Sequence, residues 1–184
     1  MKNFDYKLWA IITVAIMLLI ICLCSCHKIW EPREHDVYTI SKGQHEANER
    51  HLAYINSPFL TIQFTPDDSW YYEPHYDKHW NKLAGITTEQ IHYNSVRIAW
   101  RCTNGNIRIA IYEYRNGERV ITELGVVYKW DSVIIEMNNN RVMFREKYYD
   151  VGYHDTKGWL CFPYFGGTAA APHDMTFRIN FVHR

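Results

Sequence analysis

Two Asn-Gly pairs, Asn104-Gly105 and Asn116-Gly117, flank one strand-length run, Asn106 to Arg115. Asn-Gly is the strongest short-range hairpin signal, because both central residues of a two-residue turn need positive φ. Each turn therefore sets a register. The first pairs Thr103 with Asn106 and so brings Ile98 opposite Ile111, Ala99 opposite Ala110, Trp100 opposite Ile109, Arg101 opposite Arg108 and Arg97 opposite Tyr112. The second pairs Arg115 with Glu118 and brings Tyr112 opposite Ile121, Ala110 opposite Glu123 and Ile109 opposite Leu124. Side chains alternate between the two faces of a strand, so a one-residue slip would invert both assignments. The two turns agree: Ile98, Trp100, Ile109 and Ile111 face a core. Arg97, Ala99, Arg101, Arg108, Ala110, Tyr112 and Glu123 share the opposite face.

More strand signals surround this meander. They are Phe59 to Thr65, Ser69 to Glu73, Val126 to Trp130, Val133 to Met137, Val142 to Arg145, Trp159 to Tyr164 and Met175 to Val182, with Asn138-Asn139-Asn140 as a third turn. Helix candidates are confined to Gln44–Tyr54 and a single turn at Trp80–Leu83. Many short strands with regular turns predict an all-β antiparallel sandwich of the jelly-roll or concanavalin-like kind. At 184 residues the chain has room for one such domain. Aromatic residues reach 16%, and 20 basic residues balance 20 acidic ones, which excludes a disordered chain and a nucleic-acid protein held by bulk charge.

The N-terminus is of another kind. Lys2 and Lys7 precede Leu8 to Leu23, in which Thr13 is the one polar residue apart from Cys22. The run falls short of the roughly 20 residues of a spanning helix and reads as a signal segment. The pattern predicts residues 1–25 as a signal peptide, 26–37 as a tether and 38–184 as the sandwich. Leu23-Cys-Ser-Cys26 resembles the lipobox of bacterial lipoproteins, which makes Cys26 the lipidated residue. It implies a membrane partner through the lipid and an outer-membrane envelope location. An uncleaved anchor helix is the alternative. In the folded part Cys102 and Cys161 remain. They form either a disulfide or two buried thiols.

Candidate ligand-binding residues fall in three places. The polar face of the meander offers Arg97, Arg101, Arg108 and Tyr112 above the small Ala99 and Ala110. Arg supplies planar donors and Tyr a stacking face, a combination suited to an anionic or hydroxyl-rich ligand; a solvated face with Glu123 paired to an Arg is the alternative. The entry to the central strand adds His92 and Asn94. The Gly- and Ala-rich loop from Tyr164 to Asp174 adds Tyr164 and His173. His75 and His79 have helical spacing for a metal, but Pro74 favours a loop and no third ligand is evident, so no metal or cofactor is assigned.

The segments Ser41-Lys-Gly-Gln-His45, Asn81-Lys-Leu-Ala-Gly85, His92 to Arg101 and Pro163-Tyr-Phe-Gly-Gly with Ala171-Pro-His-Asp174 together resemble a group of small Gram-negative lipoproteins. That resemblance implies a β-sandwich at the envelope. A second resemblance links Gln90-Ile-His92 and Tyr164-Phe165 to motifs of jelly-roll alginate lyases, although Gly166 stands where those motifs carry Lys. It implies charge neutralisation of a uronate by Arg, Gln or His and proton transfer by Tyr or His. The leading expectation is an exported module that binds a glycan or cell-surface polymer. A polysaccharide lyase or hydrolase with His92, Arg97 and Tyr112 as catalytic candidates is the alternative, and a structural or adhesion subunit is the third.

Overall fold

The computed structural model describes residues 36–48, 53–73, 79–88, 90–152 and 157–183. The expected signal segment, Cys26 and most of the 26–37 tether lie outside these residues, as does His75.

Among the described residues, twelve strands form two six-stranded antiparallel sheets, the expected β-sandwich. They are β1 (Asp36–Ile40), β2 (Tyr54–Asn56), β3 (Phe59–Phe64), β4 (Asn81–Thr87), β5 (Ser95–Thr103), β6 (Asn106–Arg115), β7 (Glu118–Val127), β8 (Val133–Asn138), β9 (Arg141–Phe144), β10 (Lys147–Asp150), β11 (Lys157–Cys161) and β12 (Met175–His183). The first sheet runs β1-β12-β3-β8-β9-β10 and the second β2-β11-β4-β5-β6-β7. Strand β1 starts two residues inside the segment read as a tether.

Both Asn-Gly pairs turn as expected, with φ of 49° and 71° at Asn104 and Gly105, and 51° and 85° at Asn116 and Gly117. The β5–β6 register matches the expected one at every pair. In β6–β7, Tyr112 meets Ile121 and Ala110 meets Glu123, but Ile109 meets Gly125 instead of Leu124. A bulge at Leu124, opposite the step from Ile109 to Ala110, absorbs the extra residue and carries β7 on through Val126 and Val127, where a separate strand was expected.

The core lies between the sheets. Trp70 is fully buried there, 5.7 Å from Phe64, 5.0 Å from Trp100 and 5.1 Å from Phe177 between ring centres. It sits in a 3₁₀ turn, Asp68–Trp70, where a strand from Ser69 was expected. Asp67 explains the change. Its carboxylate accepts from the Ser69 N–H at 2.9 Å, a local bond that turns the chain out of a strand, and is held in place by Arg178 at 2.8 Å. Neither helix candidate forms in the described residues. Residues 44–48 make turns and a bridge to Tyr164, Tyr54 begins β2, and Trp80–Leu83 leads into β4.

Cys102 and Cys161 are separate buried thiols and not a disulfide. Alternation along β5 turns Cys102 into the core, whereas Cys161 lies beside Gly85 and Arg97 on the other face of the second sheet.

Candidate functional site

The face of the second sheet turned away from the core is organised in rows. In one row β11, β4, β5 and β6 place Cys161, Gly85, Arg97 and Tyr112 side by side. The neighbouring row places Tyr54, Trp159, Thr87, Ser95 and Tyr114 side by side. On the other side of the Arg97 row, Lys82 stands next to Ala99 and Ala110. A solvated face was the alternative reading of the sequence here. Instead Arg97 and Tyr112 are only 4% and 5% exposed. They line a cleft of about 690 Å³.

Segments distant in sequence build its walls. Residues 163–165 run along β4, with Lys82 and Tyr164 exchanging backbone bonds at 2.8 and 2.9 Å. The loop beyond Tyr164 is tied down through Asn81. Its side-chain oxygen accepts from the Gly166 N–H, and its amide donates to the Tyr72 hydroxyl at 3.0 Å. The 41–48 segment closes on this loop: Gly43 N–H donates to the Ala171 carbonyl, and Phe165 N–H to that of His45. His45 stacks on Tyr164 at 5.6 Å. At the far end the turn 90–94 carries His92 edge-on to Tyr114 at 5.3 Å. That turn is held because Ser95 and Thr87 hydroxyls donate to the Ile91 and Asn94 carbonyls.

Arg97 is the centre of the cleft. Its guanidinium lies 5.1 Å from the Tyr112 ring centre and 5.7 Å from that of Tyr114. Its Nε and one Nη are buried and make no hydrogen bond among the described residues. Burial lowers the Arg97 pKa, with Cys161, Tyr112 and Tyr114 pulling it back. Gly85 makes this placement possible. Any Cβ there would come within 2.2 Å of the Val96 carbonyl and 2.5 Å of the Arg97 Cα. Across Gly85 in the same row lies Cys161, whose thiol is pushed up to about 11 by burial.

Lys82 joins Arg97 as a second cation. Its Nζ lies 4.6 Å from the Tyr112 ring centre and 6.0 Å from that of Tyr164, and it donates to the Trp80 carbonyl at 2.8 Å. Its pKa is pushed down to about 8, first by burial and then by the positive charges of Arg97 and Arg119. The Tyr114 hydroxyl is raised, by burial and then by its bond to Tyr112. Two partly desolvated cations and several phenol hydroxyls thus converge on one cavity. Such an array can hold a carboxylate and hydrogen-bond the hydroxyls around it.

Of the residues expected from sequence, the structure brings His92, Arg97, Tyr112 and Tyr164 together in the cleft. The others have structural partners. Asn94 accepts from the Asn116 N–H at 3.2 Å and joins two turns. Arg108 and Arg101 both pair with Glu123, and Arg101 stacks on Trp80 at 4.4 Å. Arg101 and Arg108 therefore share one carboxylate outside the cleft lining. His173 bonds the Ser69 carbonyl at 2.9 Å and fastens the loop to the 3₁₀ turn. Sequence reasoning missed Lys82, Gly85, Tyr114, Trp159 and the cleft position of Cys161. The register argument already placed Tyr114 on the face of Tyr112, and that signal was available. No group of three His, Cys, Asp or Glu side chains spaced for a metal occurs among the described residues.

No protein-family model matches the chain, and no curated protein matches it in sequence. Among solved structures the chain is similar to an alginate lyase from Alteromonas sp. 272. The identity is 7% and the TM-score 0.49, with 84% of this chain and 90% of that one covered.

Proposed function

We propose that the cleft binds an acidic saccharide through its carboxylate, and that the domain is a glycan-binding module. One observation carries the reading: the Arg97 guanidinium is buried with two of its nitrogens unpartnered among the described residues. A buried cation without a counter-ion is costly and is expected where a ligand supplies the anion. Lys82 adds charge beside it, and the tyrosines add hydroxyls. The expected setting is an exported, lipid-tethered protein at the envelope surface, where acidic polymers are met.

The test is calorimetry with uronic-acid oligosaccharides and neutral ones of equal length, on wild type and on Arg97→Met. Wild type should bind the acidic ligands alone. Loss of a charged donor should weaken binding by about tenfold to a hundredfold. Because the substitution also removes an unpaired buried charge, the variant should melt at or above the wild-type temperature. Equal binding of neutral sugars, or full affinity in the variant, would overturn the reading.

The low pKa of Lys82 favours a second reading, a β-eliminating lyase. An amine titrating near 8 is well matched to general-base work. It would take the proton next to a carboxylate whose charge Arg97 neutralises. The electron pair would form the ring double bond while the glycosidic C–O bond breaks, and a proton from a cleft group would complete the leaving hydroxyl. Ultraviolet-absorbing unsaturated ends formed by wild type and lost in Lys82→Met or Tyr112→Phe would favour this reading.

A further inference from the structure

We propose that Trp159 and Tyr54 form a stacking platform for a sugar ring, so that the site takes a chain of several sugars and a single uronate fills it only in part. This rests on the reading of Arg97 as the carboxylate site. Trp159 lines the same cleft as Arg97 yet remains 47% exposed, and Tyr54 beside it is 56% exposed. Their rings meet edge to face at 5.4 Å. Burying either ring against the core would be favourable, and the strands offer that choice: Leu160 and Ile55, their sequence neighbours, point inward and are buried. The aromatic pair instead faces the cleft side, on the two strands at the open edge of the sheet.

Register gives the span. Trp159 pairs with Thr87 and Thr87 with Ser95, so Trp159 lies two strands across from β5 and two residues along from Arg97. At strand spacings that is about 12 Å between backbone positions. One pyranose ring is too small to hold its carboxylate on the guanidinium and lie flat on the indole. A short oligosaccharide can do both. Its acidic end would sit among Arg97, Lys82 and Tyr112, and its chain would leave the cleft over β11 and β2. The flat apolar face of a pyranose suits an indole with an edge-on partner, and an exposed indole loses little side-chain entropy on binding.

The experiment measures affinities of a monomeric uronic acid and of its oligomers of two to six units, for wild type, Trp159→Ala, Tyr54→Ala and Arg97→Met. Affinity should rise with length in wild type and then level off. Trp159→Ala should lower the plateau about tenfold, the worth of covering one apolar ring face, and lower monomer affinity by much less. Tyr54→Ala should act in the same direction by less. Retained monomer binding shows that the variants are folded. An unchanged length dependence in Trp159→Ala, with monomer binding still dependent on Arg97, overturns the platform and leaves the carboxylate site standing. Failure of every length to bind wild type overturns both.

Discussion

Burial in the cleft, and after it the positive charges of Arg97 and Arg119, disfavour the charged form of Lys82. Its pKa of about 8 lies below the free value of 10.5. The folded chain therefore binds fewer protons than the unfolded chain between those values, and stability rises with pH across that window. Below pH 8 the penalty is fully present. Lys82→Met should thus stabilise the protein at pH 7, with the advantage fading towards pH 10.5; melting temperatures across that range check it. Ligand affinity should run the opposite way. An acidic sugar should bind less tightly as pH rises through about 8 and Lys82 loses its charge, and Lys82→Met should flatten that profile in calorimetry. Neither Lys82 nor Gly85 was visible as functional in the sequence. A lysine ahead of Leu-Ala-Gly is unremarkable until β4 is placed between β5 and β11.

The elements divide by how they announce themselves. The β5–β6–β7 meander was legible because its turns need Asn-Gly, and they remain its most sensitive points. Gly105→Val and Gly117→Val should each cost roughly 1–3 kcal/mol, since a β-branched residue resists positive φ. Urea unfolding of the two variants measures this. Space is not the obstacle, as a Cβ at Gly105 meets nothing within 4 Å. Strand β10 was invisible because its turn is made by Arg145 and Glu146, both at positive φ with neither Gly nor Asn to mark them. Strand β4 was misread because core and cleft bury both its faces, so Lys82-Leu-Ala-Gly-Ile86 shows no alternation. The bulge opposite Ile109 escaped for another reason. It shifts the far end of β7 by one residue without disturbing the pairs next to the turn.

At the scale of the molecule, the sheets are joined by more than apolar contact. Glu113 on β6 is buried and accepts from the Gly152 N–H beyond β10 at 2.6 Å while pairing with Arg115 at 2.7 Å through both oxygens. The bond to Gly152 ties the second sheet to the segment that follows β10 of the first. Glu113→Ala should cost about 2 kcal/mol, the worth of a charge-assisted bond in a buried setting. Arg115→Ala should cost more than that, because it leaves the Glu113 carboxylate buried without its cation. Denaturant titration of both variants checks the difference. The proposed tether has its own test. Cys26→Ala should abolish incorporation of a fatty-acid analogue during metabolic labelling, and undiminished labelling would refute the lipobox reading. The sequence by itself determined the sandwich class, the register of its central meander and which side chains share the polar face. Those follow from turn chemistry and strand alternation, both local. That this face is a cleft was decided by the tertiary structure alone. Residues 41–48, 90–94 and 159–167 converge on it from separate parts of the chain. Burial and pKa are sums over such neighbours, and no single stretch of sequence holds them together.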